Sequence, residues 1–252
     1  MKTNRPDDSL IPGLRSLWKE AFGDTDAFLD LFFFTAYDHD HCRCIVTEGR
    51  VEAALYWLDM TCDGQKFAYI YAVGTAVSAR GKGLCRTLMA ETAAVLKEAG
   101  YHGAILVPQD PPLHIMYGKM GYLPATPIEQ TIYAAGETSL PITQITAEEF
   151  AALRPGFSPA GSVQCEPVTV AFLDKLAVFY RAPGLLAAVS REEKHLRILD
   201  YLGPKEAIPG LVAALGRTEA TVRTVGTGTN FAMYYPLDPA CKQPGHFTMA
   251  LD

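Results

Sequence analysis

The chain has 252 residues, 49% of them hydrophobic and 20% charged, and carries a formal net charge of −6 at pH 7. That length suits two domains of ordinary size, and that composition excludes disorder, because enough apolar surface is present to offset the entropy of folding. The acidic balance argues against a general nucleic-acid binder, which needs clustered Lys and Arg to displace counterions, and fits a cationic substrate better.

Met1 to Ser9 contains no apolar signal-type stretch, and the run Leu29 to Ala36 is too short to span a bilayer, so a cytoplasmic protein without membrane contact is expected. The cysteines Cys42, Cys44, Cys62, Cys85, Cys165 and Cys241 are scattered through a core-rich chain and are expected to be reduced. Leu10, Leu14, Leu17, Trp18 and Phe22 fall at helical spacing, and Gly23-Asp24-Thr25 resets the chain for a second helix through about Tyr37. The aromatic run Phe28, Phe32, Phe33, Phe34, Tyr37 and Trp57 is expected to divide between core packing and a pocket. Asp38 to Cys44 contains His, Asp and Cys at alternating positions. Without a second ligand pair elsewhere it reads as a polar connection, with no metal.

A β-hairpin follows over Cys42 to Glu48 and Val51 to Asp59, then a strand over Phe67 to Ala76 and a helix reaching about Ala99. Ala104 to Val107 reads as a buried strand, Pro112 to Met120 as a short helix, and Leu123 to Ala134 as a strand or hairpin. Ala135 to Pro141 is the linker candidate. Beyond it the pattern predicts helices at Ala147 to Leu153, Val170 to Tyr180 and Lys205 to Leu215. Strands are predicted at Leu185 to Ser190, Leu196 to Leu202, Thr221 to Val225, Phe231 to Tyr235 and Phe247 to Leu251.

The chemically informative segment is the loop between the strand ending near Ala76 and its following helix. A Gly-rich loop opening a helix turns several backbone N–H groups toward one anion, and the helix dipole adds positive charge there. Gly81 and Gly83 allow the needed backbone conformations and close approach, while Arg80 and Lys82 add charge. A Walker loop would require Gly at Ala76 and Ser or Thr at Gly83. A dinucleotide fingerprint starting at Gly81 would require Gly at Arg86, so both nucleotide motifs fail on spacing.

Arg80-Gly81-Lys82-Gly83-Leu84-Cys85 resembles the Arg/Gln-x-x-Gly-x-Gly/Ala motif by which the GNAT superfamily of N-acetyltransferases cradles the CoA pyrophosphate, with Cys85 standing where the family has Gly or Ala. Leu113 to Tyr122, with its Tyr117-Gly-Lys-Met-Gly121-Tyr122, resembles the family's helix ending in Tyr-x-Lys-x-Gly-Phe/Tyr. Val73, Gly74 and Thr75 match the splayed strand that offers N–H groups to the acetyl carbonyl and pantetheine. The resemblance covers about Leu10 to Ala134. It implies acetyl-CoA as co-substrate, bound by Val73 to Thr75 and Arg80 to Cys85, and Tyr117 as general acid. The acceptor is expected to be a small-molecule or peptide primary amine, attacking directly in a ternary complex.

The strand Phe67 to Ala76 lacks the acidic residue that many members place there, leaving Asp59 and Glu129 as candidate bases acting through water, with Tyr69 and Tyr71 as weaker options. Cys85 as a nucleophile is the less favoured reading of that thiol, since no His or Asp lies near it in sequence. The expected fold class is α/β with a mixed sheet. The resemblance implies a GNAT catalytic domain over residues 1–134, and residues 142–252 are expected to form a degenerate GNAT-like domain in which Gly203-Pro204-Lys205-Glu206 replaces the phosphate loop. This tandem layout, with Leu17 to Asp24 at its opening, resembles the enhanced-intracellular-survival type of acetyltransferases, known for acetylating aminoglycosides and other amines. Their terminal carboxylate lies near the active site, which draws attention to Asp252. A homo-oligomer stays open, and the alternative function is a non-catalytic acyl-CoA sensor or scaffold.

Overall fold

The computed structural model describes residues 2–191 and 195–250, so Asp252 lies outside the described residues. The fold opens with α1 (Ile11–Phe22) and α2 (Asp26–Thr35). Leu14, Leu17 and Trp18 form the buried stripe of α1. Gly23, at φ 74°, ends that helix by returning its N–H to the Lys19 carbonyl, and Thr25 caps α2 by accepting from the Phe28 N–H. The strands β1 (Cys42–Thr47), β2 (Arg50–Cys62) and β3 (Gln65–Thr75) then form an antiparallel meander. Helix α3 (Leu84–Glu98) carries the chain over so that β4 (Gly103–Leu106) runs parallel to β3. Helix α4 (Pro111–Gly118) and the single long strand β5 (Leu123–Ala134) complete the first half.

The second half contains β6 (Thr143–Ile145), α5 (Ala147–Phe157), β7 (Val163–Cys165), α6 (Pro167–Leu176), β8 (Ala177–Ala182) and β9 (Leu185–Ser190). It continues with β10 (Arg197–Leu202), α7 (Ile208–Ala214), β11 (Glu219–Val225) and β12 (Thr229–Pro236). Here β10 and β11 run parallel on either side of α7, as β3 and β4 do on either side of α3. The chain therefore has two lobes, each built on a strand, loop, helix and parallel strand.

Among the described residues one sheet of twelve strands runs through both lobes in the order β1-β2-β3-β4-β12-β5-β11-β10-β9-β8-β6, with β7 attached to β2. The lobes exchange strands. β12 of the second half pairs antiparallel with β4 and β5 of the first, and β5 in turn pairs with β11 of the second. The order therefore reads alike from both ends of its middle: β3, β4, β12, then β5, β11, β10.

Two expectations are corrected. The helix expected to reach Tyr180 stops at Leu176, and Ala177 to Ala182 is strand β8, because Ala177 and Phe179 are buried in alternation and the backbone pairs with β9. The strand expected over Phe247 to Leu251 is not one over its described residues. The chain there makes a single bridge, His246 to Ser162, outside the named strands, and no ladder extends from it among the described residues.

Candidate active site

Strands β3 and β4 pair from Phe67 opposite Gly103 to Tyr69 opposite Ile105, after which β3 continues to Thr75 paired with β2 but not with β4. A cavity of about 530 Å³ opens along this divergence. One wall comes from Tyr69 to Val73, Leu106 to Gln109 and Tyr117, and another from Leu173, Leu176, Arg191, Leu199 and Ala250 of the second lobe. Trp18, Phe22 and Phe28 close it from the first two helices, so the aromatic run does divide: Phe28 lines the cavity, Phe32 is buried in the core, and Phe34 faces solvent.

The divergence is shaped by a β-bulge. Tyr56 faces Tyr71 and Ala54 faces Gly74, so β3 holds one residue more than β2 across that interval. Ala72 absorbs the excess in the left-handed region at φ 48°, and both Ala72 and Val73 line the cavity.

Beyond β3 the loop Arg80 to Gly83 is exposed, and Gly81 and Gly83 sit at φ 78° and 80°. A Cβ built on either would meet nothing within 4 Å, so the glycines face open space large enough for an approaching group. Gly83 is the N-cap of α3, and no side chain caps its first N–H groups. These residues fit a pyrophosphate: left-handed backbone, orphan donors, a helix N-terminus and two nearby cations. Arg80 donates from Nε to the Thr75 carbonyl at 3.2 Å, tying the loop to the end of β3. Leu84 is buried, and burial pushes the Cys85 thiol up, which keeps it protonated and poorly nucleophilic. The corresponding turn of the second lobe is closed, since a Cβ on Gly203 would lie 2.7 Å from Leu185 Cβ.

Tyr117 is carried by α4, whose start is fixed by Pro111 and Pro112 and by Asp110, which accepts from the Leu113 N–H at 2.9 Å. Its ring is buried on the cavity wall. Burial, aided by the neighbouring Cys85, raises its phenol well above the ordinary value, so the hydroxyl keeps its proton at physiological pH.

Asp59 and Glu129 are not brought to this place. Asp59 accepts a hydrogen bond from the Tyr101 hydroxyl, with Lys66 Nζ at 3.8 Å and His41 Nε2 at 4.0 Å, and Glu129 is paired with Lys205. Neither lines the cavity. Tyr69 and Tyr71 do line it. So does Asp24, the one acidic side chain among the described lining residues, whose Oδ2 accepts from the Trp18 indole N–H at 2.8 Å. Sequence reading passed over Asp24 because Gly23-Asp24-Thr25 has the composition of a plain helix break. The wall also carries Lys175, Arg191 and Arg197. At the candidate metal segment the donors diverge: Cys42 and Cys44 are buried, His39 engages Asp8, and Asp40 engages Arg5.

The first lobe thus carries a strand that outruns its parallel neighbour, a glycine loop at a helix start and a tyrosine on the cavity wall. The family model for the acetyltransferase (GNAT) domain matches residues 3–125. No curated protein matches the chain in sequence. Among solved structures, a GCN5-related N-acetyltransferase from Anabaena variabilis is similar at 18% identity and TM-score 0.74, over 94% of this chain and 73% of that one. Eis1 from Mycobacterium abscessus is similar at 13% identity and TM-score 0.66, over 94% of this chain and 74% of the other. A tandem GNAT protein from the clavulanic acid biosynthesis pathway is similar at 10% identity and TM-score 0.59, over 95% of this chain and all of that one. Residues 3–125 therefore match an acetyltransferase (GNAT) domain, and the fold of the whole chain is similar to that of these two-lobed proteins. Among the described residues no helix is long and apolar enough to cross a membrane.

Proposed function

We propose that the protein moves an acetyl group from acetyl-CoA to a primary amine of a small molecule or peptide, by direct attack in a ternary complex. The observation carrying this reading is the sequence of features along β3: its Tyr69 to Val73 line one cavity together with Tyr117, and just beyond its end the open Gly81/Gly83 loop starts α3. Residues Arg80 to Cys85 would hold the pyrophosphate, and Val73 to Thr75 the pantetheine and acetyl carbonyl. When bound, acetyl-CoA supplies an activated thioester. Tyr117 holds a proton beside the place where a thiolate would depart, and its burial keeps that proton in reserve. The aromatic wall of Trp18, Phe22 and Phe28 excludes water, and Asp24 is the carboxylate placed to meet an acceptor ammonium.

Residues 1–134 are read as the catalytic part and residues 142–252 as the part that shapes the acceptor side. The free cysteines fit a reducing cytoplasm. Mass spectrometry of a panel of polyamines, aminoglycosides, amino acids and short peptides incubated with acetyl-CoA tests the reading. Acetylated product supports it, whereas acetyl-CoA binding without any product favours a sensor. Tyr117→Phe is expected to lower turnover by roughly ten- to a thousandfold with little change in acetyl-CoA affinity. Unchanged turnover would remove Tyr117 from the reaction.

A further inference from the structure

The segment from His246 to Ala250 has one sheet bridge, yet it is as deeply buried as any strand in the molecule. Its side chains alternate between the two lobes. Phe247 packs edge-on against Tyr69 at 5.1 Å and belongs with Ala250 to the core around the first lobe, while Met249 enters a second-lobe core with Phe150 and Leu199. Between them Thr248 points into a polar cluster with no access to solvent. Its hydroxyl donates to Asp200 Oδ1, and Asp200 Oδ2 accepts from Arg154 Nε at 2.7 Å. Arg154 Nη1 also donates to the Val163 carbonyl at 2.7 Å and to Gln164 Oε1 at 2.8 Å, and Arg223 Nη1 reaches the Thr248 carbonyl at 3.4 Å.

An ion pair with both partners buried is poorly explained by stability alone, because apolar residues of the same volume commonly do as well. What such a pair provides is one geometry, since a shifted Thr248 would leave Asp200 Oδ1 with His246 Nε2 at 3.8 Å in place of a hydroxyl in direct hydrogen-bond contact. The cluster joins α5, β7, β10 and the segment whose Phe247 braces Tyr69 and whose Ala250 lines the cavity.

We propose that Arg154, Asp200 and Thr248 are positioning residues that clamp Phe247 to Ala250 as the inter-lobe wall of the acceptor side of the cavity. This rests on the acetyl-transfer reading only for what the cavity holds, and the clamp itself has an activity-independent readout. Thr248→Val keeps the volume and removes the hydroxyl, and Thr248→Ser keeps the hydroxyl. Hydrogen exchange of the peptide spanning residues 245–250 is expected to speed up in Thr248→Val and to stay near wild type in Thr248→Ser. With an accepted amine, kcat/KM for that amine should fall roughly ten- to a hundredfold in Thr248→Val, the scale of an ångström-level displacement. The KM for acetyl-CoA should hold, and Thr248→Ser should restore the amine kinetics. Unchanged exchange in Thr248→Val would overturn the clamp, as would faster exchange with unaltered amine kinetics, or equal losses in the valine and serine variants. Absence of any turnover by the wild type would count against the acetyl-transfer reading, with exchange still deciding the clamp.

Discussion

Asp200 shows how one side chain can be set by opposing forces. Burial pushes its carboxyl up, but the Arg154 guanidinium, with His246 and Thr248, holds it well below the ordinary carboxylate value. A carboxyl depressed on folding contributes stability that is present above the unfolded value near pH 4 and is lost as the pH falls through the lower folded one. Asp200→Asn is therefore expected to be less stable at neutral pH by about 3 kcal/mol or more, the cost of leaving Arg154 buried without its partner. Its Tm should also decline less steeply than that of the wild type on acidification below about pH 4; parallel declines would show that Asp200 does not drive the acid response. None of this was visible in the sequence, where Arg154, Asp200 and Thr248 stand far apart and each looks like an ordinary surface residue. Tyr117 was legible as a candidate, because the motif that suggests it is local to one short helix, and its ring does lie on the cavity wall. Asp59 and Glu129 were singled out by strand position, which carries no trace of the partners the fold gives them, Tyr101 and Lys205.

Elements built from contiguous sequence were read well. The loop between β3 and α3 is local in every respect: two glycines, two cations and a helix start, all within one turn of chain. Both glycines adopt left-handed backbone with no neighbour over the Cα, so Gly83→Ala would meet strain without any clash. We expect it to lower stability by about 1–2 kcal/mol, seen as a reduced Tm, and to raise the KM for acetyl-CoA while leaving the kcat with saturating co-substrate nearly intact. An unchanged KM would separate the loop from co-substrate binding. Less legible was the boundary between α6 and β8, since Val170 to Tyr180 carries a helical pattern that strand pairing with β9 overrides after Leu176. The bulge at Ala72 was also unreadable, because the residue that carries it is an alanine and gives no glycine signal.

At the scale of the whole molecule, the two-lobe reading came from repeated element order, but the path of the sheet did not, because pairing between distant strands leaves no local mark. Residues 1–134 include β4 and β5, yet in the folded chain β12 stands between them. A fragment of those residues would expose both facing edges, and it is expected to be aggregation-prone and to bind acetyl-CoA poorly. A soluble fragment with wild-type affinity by calorimetry would show that β12 is dispensable for the cradle. The insertion also sets a timetable. Ribosomes extend a chain at roughly 5–20 residues per second, so several seconds separate the emergence of β5 from that of β12. Throughout that interval the nascent chain carries an unfilled slot between two open strand edges, and premature termination before residue 229 would release it in that state. Building one lobe around a strand of the other thus makes the time of synthesis the interval in which this chain is most exposed to wrong pairing.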